Sequence, residues 1–338
     1  MGCIFAAAGA DWPAAAVFSF VKRVLVAGMS EIRSGNYVLR ARLDQGQGPV
    51  LFCFHFWDPR PGLEGEIFAE SYAQARGWNW IGIRPLRNDW YQGEEVPDLL
   101  SRARDLAGGR RLVCYGPSMG AFAALNFAGL LRADYVLALA PQLTVNPAHR
   151  LYDDRWAADS AQITFRHEWI ERGPAIEKGV LIFSSHQREV CHAREILRHH
   201  PALTAMVVPF AGHQPGWVLS EADVLGDLVR AAMEGRIPMP EARHNLRRNR
   251  LRSKTYVQEL LFWLQRRGAA AGALDLIRGR LAAHLFQHWP IALAHHLCLR
   301  DLGRCDEAAE VLTPWLTSEE HGGVAGWHLQ QMRKDTPE

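Results

Sequence analysis

Tyr115-Gly116-Pro117-Ser118-Met119-Gly120-Ala121 joins an apolar run, Arg111-Leu112-Val113-Cys114-Tyr115, to a small-residue stretch that continues to Gly129. Gly-x-Ser-x-Gly in that setting marks a buried strand that turns sharply into a helix. The two glycines leave room for crowded backbone, and Ser118 is lifted to the helix N-terminus with its oxygen exposed. A serine placed this way is a candidate nucleophile, and a nucleophilic serine needs a base. Among fifteen histidines, His213 is the best placed. It follows the last apolar run in Val207-Val208-Pro209-Phe210-Ala211-Gly212-His213, where a loop after a strand end can swing an imidazole back over the turn.

Positioning those groups takes a scaffold. Between residues 36 and 235, short apolar runs alternate with amphipathic segments. Strands are expected at 37–43, 50–56, 78–83, 111–115, 135–140, 180–184 and 205–210, with helices near 64–76, 96–106, 118–131, 189–199 and 218–233. Continuous apolar strands separated by helices indicate an α/β fold: a mostly parallel sheet with helices on both faces. Such sheets collect their functional groups at the carboxyl ends of the strands.

In the order serine, acid, histidine, the chain resembles the α/β-hydrolase superfamily from about Tyr37 to Met233. The resemblance implies an α/β-hydrolase-like fold and an acid three residues past a Gly that ends the strand before the histidine-bearing one. Glu189 stands there, in Val180-Leu181-Ile182-Phe183-Ser184-Ser185-His186-Gln187-Arg188-Glu189, with His186 in place of the Gly and Glu in place of the commoner Asp. Glu189 could equally cap the helix that it begins. Asp153 and Asp154 are the alternative acids. The acid's work would be to fix the His213 tautomer and stabilise its imidazolium. The implied oxyanion hole takes one N–H from Met119 and a second from Phe56 or Trp57, in a loop that lacks the Gly-rich segment of many lipases and esterases. Trp90 and Tyr91, in Asn88-Asp89-Trp90-Tyr91-Gln92, follow a strand in a loop expected to overhang the same face. They are candidates for stacking on a sugar or an acyl group, with core packing as the alternative use.

At 338 residues, 48% hydrophobic and 22% charged, the chain can bury one large core and a smaller one. A net charge of +2 gives no reason to expect a nucleic-acid partner. Neither Cys-x-x-Cys nor zinc-type His/Cys spacing occurs, so no metal and no organic cofactor is implied. The six scattered cysteines point to reduced thiols in a cytoplasmic protein. Residues 1–28 are apolar, but Asp11, Pro13 and Lys22-Arg23 interrupt them before a membrane-spanning length is reached. Their positive charge follows the apolar stretch, where a secretory signal carries it before, and Ala6 stands where a lipidation pattern wants Ser or Thr. We therefore expect a poorly structured extension at 1–28, no stable membrane insertion, and Met29-Ser30 as a plausible start.

The character changes at Ile237-Pro238-Met239-Pro240, which divides a hydrolase-like domain, 29–240, from an α-helical domain, 241–338. The basic stretch from Arg243 to Arg252 reads as a solvated linker or helix face. Beyond it, Gly268 to Ile277 lines up with Gly303 to Leu312 at an offset of 35 residues. This resembles the tetratricopeptide helical pair, whose repeat is about 34 residues. Two pairs, near 254–285 and 289–316, and a last helix near 324–334 would fit. Two repeats are fewer than such arrays need alone, so the tail is expected to pack on the core; covering the sheet and binding a partner are equally open uses.

Together these features imply a serine hydrolase, an esterase or acyltransferase, acting on a small-molecule or glycan ester. About 40 residues separate the strands at 135–140 and 180–184, room for a small cap but not for a large lid. A small acyl group, such as acetyl on a glycan, fits that limit. The combination of a hydrolase-like core with helical repeats also resembles proteins associated with bacterial surface-polysaccharide production. The alternative is a catalytically degenerate, hydrolase-like interaction protein whose helical tail binds a protein partner.

Overall fold

In the strand Val50–Phe54 all five residues are buried, Leu51 and Cys53 in one apolar cluster, Val50, Phe52 and Phe54 in another. Successive side chains point to opposite faces, so a strand that is apolar at every position needs cover on both sides. The computed structural model, which describes residues 22–26 and 29–335, provides it. Its strands are β1 (Lys22–Val26), β2 (Met29–Ser34), β3 (Tyr37–Arg42), β4 (Val50–Phe54), β5 (Asn79–Pro85), β6 (Leu112–Pro117), β7 (Tyr135–Leu139), β8 (Gly179–Ser184) and β9 (Leu203–Val208). Among the described residues they form one nine-stranded sheet in the order β1-β2-β3-β5-β4-β6-β7-β8-β9. The pairings β1-β2, β2-β3 and β3-β5 are antiparallel, and the five from β5 to β9 are parallel.

The helices preceding the tail are α1 (Glu70–Gln74), α2 (Val96–Ala107), α3 (Met119–Asn126), α4 (Ala128–Leu131), α5 (Ala157–Ser160), α6 (Gln187–His199), α7 (Pro215–Glu221) and α8 (Leu225–Met233). Leu99 and Ala103 of α2, Phe122 of α3, Leu131 of α4 and Ile196 of α6 pack with Phe52 and Phe54 on one face. Ala73 of α1, Leu219 of α7 and Val229 of α8 pack with Leu51 and Cys53 on the other. The mostly parallel sheet with helices on both faces is thus present.

Several expectations are corrected. Lys22–Val26, placed in a poorly structured extension, pairs with β2 from Lys22↔Arg33 to Val26↔Met29. Its backbone is satisfied by a hairpin partner that no local pattern announces. Residues 1–21 and 27–28 of that extension lie outside the described residues. The helix expected at 64–76 is reduced to α1; ahead of it the Glu66 carbonyl accepts from Arg84 at 2.9 Å. The expected boundary at 240/241 falls inside α9 (Met239–Asn249), whose Met239, Ala242 and Leu246 are buried while its arginines stay exposed. Of the two uses expected for the basic stretch, solvated linker or helix face, its first part takes the helix face: Met239, Ala242 and Leu246, spaced three and four apart, are buried on the other side of the same helix.

The tail continues with α10 (Lys254–Arg266), α11 (Ala270–Arg280), α12 (Trp289–Asp301), α13 (Cys305–Leu312) and α14 (Gly322–Asp335). α12 and α13 each begin 35 residues after α10 and α11. Gly268 and Gly303 close the first helix of each pair with positive φ, 72° and 73°, a conformation that a side chain disfavours. Tyr256, Leu261, Ala273 and Ile291 belong to the same apolar cluster as Leu51 and Val113 of the sheet. Phe210, just past β9, meets the rings of Tyr256 and Trp263 edge-on, both at 5.5 Å. Buried Ser253 caps α10 and donates to Glu221 at 2.6 Å. Among the described residues no helix is long and apolar enough to cross a membrane.

This contact predicts the outcome of a truncation. A chain ending at Arg252 keeps α9 but uncovers Phe210 and the apolar side of α7, so it should aggregate or melt well below the full chain. Light scattering and a thermal scan provide the check. An equally stable, monodisperse truncated chain would make the tail an independent module.

Candidate active site

Ser118 sits between β6 and α3 at φ 52°, ψ −118°, in the positive-φ region that side chains avoid. The surroundings hold it there. Its N–H donates to the Leu139 carbonyl at 2.8 Å, and its carbonyl accepts from Ala121 and Phe122, both at 2.9 Å. A Cβ on Gly116 would lie 2.4 Å from the Gly120 carbonyl carbon, and one on Gly120 would lie 2.3 Å from the Phe54 carbonyl oxygen. Both glycines are therefore required by close backbone approach. Gly120→Ala should destabilise the protein by roughly 2 kcal/mol or more, since the obstructing atoms are backbone and cannot step aside. A calorimetric midpoint within a degree or two of wild type would refute that account.

His213 lies in the loop between β9 and α7, with its Nε2 2.8 Å from Ser118 Oγ. Its Nδ1 is 2.9 Å from Glu189 Oε1. A carboxylate only accepts, so Nδ1 carries the proton and Nε2 turns its lone pair to the Ser118 hydroxyl. Glu189 occupies the first turn of α6 and is 2% exposed. It does not serve as the reciprocal cap of that helix: the His186 N–H goes to Ser184 Oγ at 3.2 Å.

Of the alternative acids, Asp153 stands one layer further back. Arg155 grips its carboxylate with a two-pronged contact, 2.9 Å from Nε and 2.6 Å from Nη2, and Nη2 also donates to Glu189 Oε1 at 2.8 Å. His192 Nε2 is 3.5 Å from Asp153 Oδ2, while its Nδ1 accepts the Leu143 N–H at 3.1 Å. Burial by itself would raise both carboxyls. For Glu189, the His213 hydrogen bond and the charges of His213 and Arg155 outweigh burial and hold it below the ordinary glutamate value. For Asp153, the hydrogen bonds from His192 and Arg155 do the same. Asp154 is 64% exposed at its side chain and pairs with Arg188.

The Phe54 and His55 carbonyls pass close to Gly120, so the end of β4 runs beside the first turn of α3. Met119 opens α3, and first-turn N–H groups have no acceptor within their own helix. The Phe56 ring stacks on His55 at 4.5 Å, and Trp57 Nε1 donates to Asp159 at 2.9 Å. His55 accepts the Phe68 N–H at Nδ1 (3.1 Å), and burial, helped by the nearby Arg84 charge, lowers its pKa to about 4.

Trp90 and Tyr91 do not overhang the site. Both are 0% exposed. Tyr91 donates to the His55 carbonyl at 2.8 Å and packs edge-on against Phe54. The loop is latched from outside: Gln92 accepts the Arg166 and His167 N–H groups at 2.8 and 2.7 Å, closing residues 166–167 over it. Trp90 touches the site indirectly, donating from Nε1 to Gln142 Oε1 at 3.3 Å. The aromatic ring beside His213 is that of Trp156, at 5.7 Å, which packs in turn against Trp57 at 5.3 Å and Trp90 at 5.5 Å.

Arg155, Trp156 and Gln142 were missed by sequence reasoning. Gln142 is fully buried just after β7, and its Nε2 lies 3.3 Å from both Ser118 Oγ and His213 Nε2. The signal available was its place past a strand end in the central sheet, where such folds gather functional groups.

Chemically, the arrangement offers a strained, partly exposed hydroxyl, an imidazole oriented to take its proton, and a buried carboxylate facing the imidazolium that would form. No protein-family model matches the chain, and no curated protein matches it. Among solved structures it is similar to the capsule O-acetyltransferase of Neisseria meningitidis serogroup A, with a TM-score of 0.46 and 8% identity over 62% of this chain and 96% of that one. It is also similar to an esterase of Pyrococcus furiosus, with a TM-score of 0.41 and 13% identity over 64% of this chain and 90% of that one. A third similarity is to an acetyl xylan esterase from Paenibacillus sp. R4, with a TM-score of 0.33 and 16% identity over 56% and 81% of the two chains.

Away from this site, Glu171, Glu195 and His199 bring their ligand-type atoms within 4.8 Å of one another. Arg150 and Arg198 already hold Glu195 Oε1 at 2.8 and 2.6 Å, so the cluster is built as an ion-pair network.

Proposed function

We propose that the chain is a serine hydrolase, an esterase or acyltransferase, in which Ser118 is the nucleophile, His213 the base and Glu189 the acid. The hydrogen-bonded series Ser118 Oγ, His213, Glu189, at 2.8 and 2.9 Å, carries this reading. His213 takes the Ser118 proton as Oγ attacks the ester carbonyl, then gives it to the departing alcohol. Water or another acceptor next removes the acyl group by the same route in reverse. The N–H groups of Met119 and of Phe56 or Trp57 would hold the tetrahedral oxyanion.

The substrate we favour is a small acyl ester on a small molecule or glycan, with O-acetyl as the type case. Trp156 and Trp57, close to the His213 ring, are the rings on which a sugar could stack, and the segment 140–178 between β7 and β8 contains only a short 3-10 turn and the four-residue α5 as helix. The two 35-residue helical pairs favour a tetratricopeptide-like tail. One observation favours the second reading, an interaction protein: Val324 and Trp327 on α14 are 47% and 52% exposed. A fluorophosphonate probe separates the two. Covalent labelling at Ser118, followed by a screen of esters with graded acyl length, supports the enzyme; an unlabelled chain leaves the interaction protein.

A further inference from the structure

We propose that α10 of the helical tail is a positioning element of the active site: by holding Phe210 in place, it sets the loop that carries His213. This rests on His213 being the base of Ser118. The starting point is the Phe210 backbone, which holds φ 51°. A bulky side chain avoids that left-handed region, and a residue persists there only where its surroundings hold it. For Phe210 the hold comes from the tail. Its half-buried ring meets the rings of Tyr256 and Trp263 edge-on, both at 5.5 Å, and those two stand seven residues apart on the same face of α10.

Phe210 and His213 are three residues apart in the loop between β9 and α7, joined through buried Ala211 and through Gly212, which also has positive φ, 54°. β9 ends in register, with Val208 opposite Ser184. From that fixed point the turn at Phe210 sets the direction in which the chain leaves the sheet. Three residues later the imidazole must lie 2.8 Å from Ser118 Oγ and 2.9 Å from Glu189 Oε1. The tail grips the far side as well. Glu221, the last residue of α7, accepts from Ser253 Oγ at 2.6 Å and from the Thr255 N–H at 3.2 Å, and the Ala222 carbonyl accepts from Asn249 at 3.0 Å. The segment 210–222 is therefore fastened to the tail on both sides of His213, by rings before it and by hydrogen bonds after it. Such precision matters, because a misplacement of about 1 Å can slow an enzyme by roughly a hundredfold. Released from α10, Phe210 is free to leave the left-handed region, and the loop carries the imidazole away from Ser118 and Glu189 as it relaxes. Phe210, Tyr256 and Trp263 act through His213 as positioning residues.

The test is a double-mutant cycle in the full chain, with Phe210→Ala and Glu189→Gln made singly and together. Fluorophosphonate labelling and p-nitrophenyl acetate hydrolysis are read at a temperature where thermal scans show every variant folded. We expect Phe210→Ala to lower kcat and the labelling rate about tenfold or more, with KM within about twofold of wild type. In the Glu189→Gln background, where His213 has already lost its compensating charge, the same change should cost about threefold or less. Trp263→Ala, at a ring that is 39% exposed, should repeat the pattern with smaller losses and serves if Phe210→Ala does not fold. Trp263→Phe, which keeps an aromatic edge for Phe210, should stay within about twofold of wild type. Equal losses with and without the Glu189 carboxylate would overturn the inference and leave α10 as cover for the sheet; no loss would overturn it too. A wild-type chain inert to both the probe and the ester overturns the Ser118–His213 reading itself, and this inference with it.

Discussion

Ser118→Ala is expected to reduce turnover at least about a thousandfold while leaving the fold in place, because the covalent route needs the hydroxyl and the packing does not. The side chain is small and partly exposed, and its recorded partners are His213 and Gln142. The backbone adds a second arm to this experiment. Ser118 holds φ 52° at the cost of strain, and glycine carries little penalty there. Ser118→Gly should therefore be as inactive as the alanine variant yet melt higher, by the equivalent of about 1 kcal/mol. Matched kinetics and thermal scans check both arms. Retained turnover in Ser118→Ala removes this serine from the mechanism, and a Ser118→Gly chain less stable than Ser118→Ala removes the strain argument.

Glu189→Gln should lower turnover by about three orders of magnitude, since a neutral amide, even where its oxygen accepts from His213 Nδ1, carries no charge to compensate the imidazolium. The comparison with its neighbours is what assigns the acid. Asp154 lies on the surface beside Arg188, so Asp154→Asn should stay within about twofold of wild type. Asp153 is different again. Its buried carboxylate holds Arg155, and Arg155 in turn steadies Glu189. Asp153→Asn should thus cost stability, about 1–3 kcal/mol for an imperfectly satisfied buried group, with a smaller loss of turnover than Glu189→Gln. Steady-state rates and melting temperatures of the three variants check the ranking. A larger rate loss in Asp153→Asn than in Glu189→Gln would move the acid to the earlier loop.

The chain's own letters determined the parts whose physics is local. Seven strands, from 37–43 to 205–210, were legible as short apolar runs, most plainly in β4 and β7, where burial on both faces leaves every position apolar. Ser118 was legible because only glycine tolerates the backbone crowding at positions 116 and 120, and that demand writes itself into five adjacent residues. The 35-residue helical repeat was visible for a similar reason: each pair needs a glycine at the same φ to close its first helix.

What tertiary structure alone decided is everything set by residues far apart in sequence. Whether Glu189 caps a helix or meets His213 depends on where the β9 loop comes to rest, and on Ser184 having taken the His186 N–H. Asp153 and Glu189 look interchangeable as letters. Arg155, bound to both, is what places one against the histidine and the other behind it. Trp90 and Tyr91 read either as a stacking loop over the site or as core packing, and the tertiary structure decides for the core, with Gln92 closing residues 166–167 over them. Gln142 gave no signal at all, since a side-chain amide becomes a directed donor only when something far along the chain, here the Trp90 indole, decides which end faces the serine.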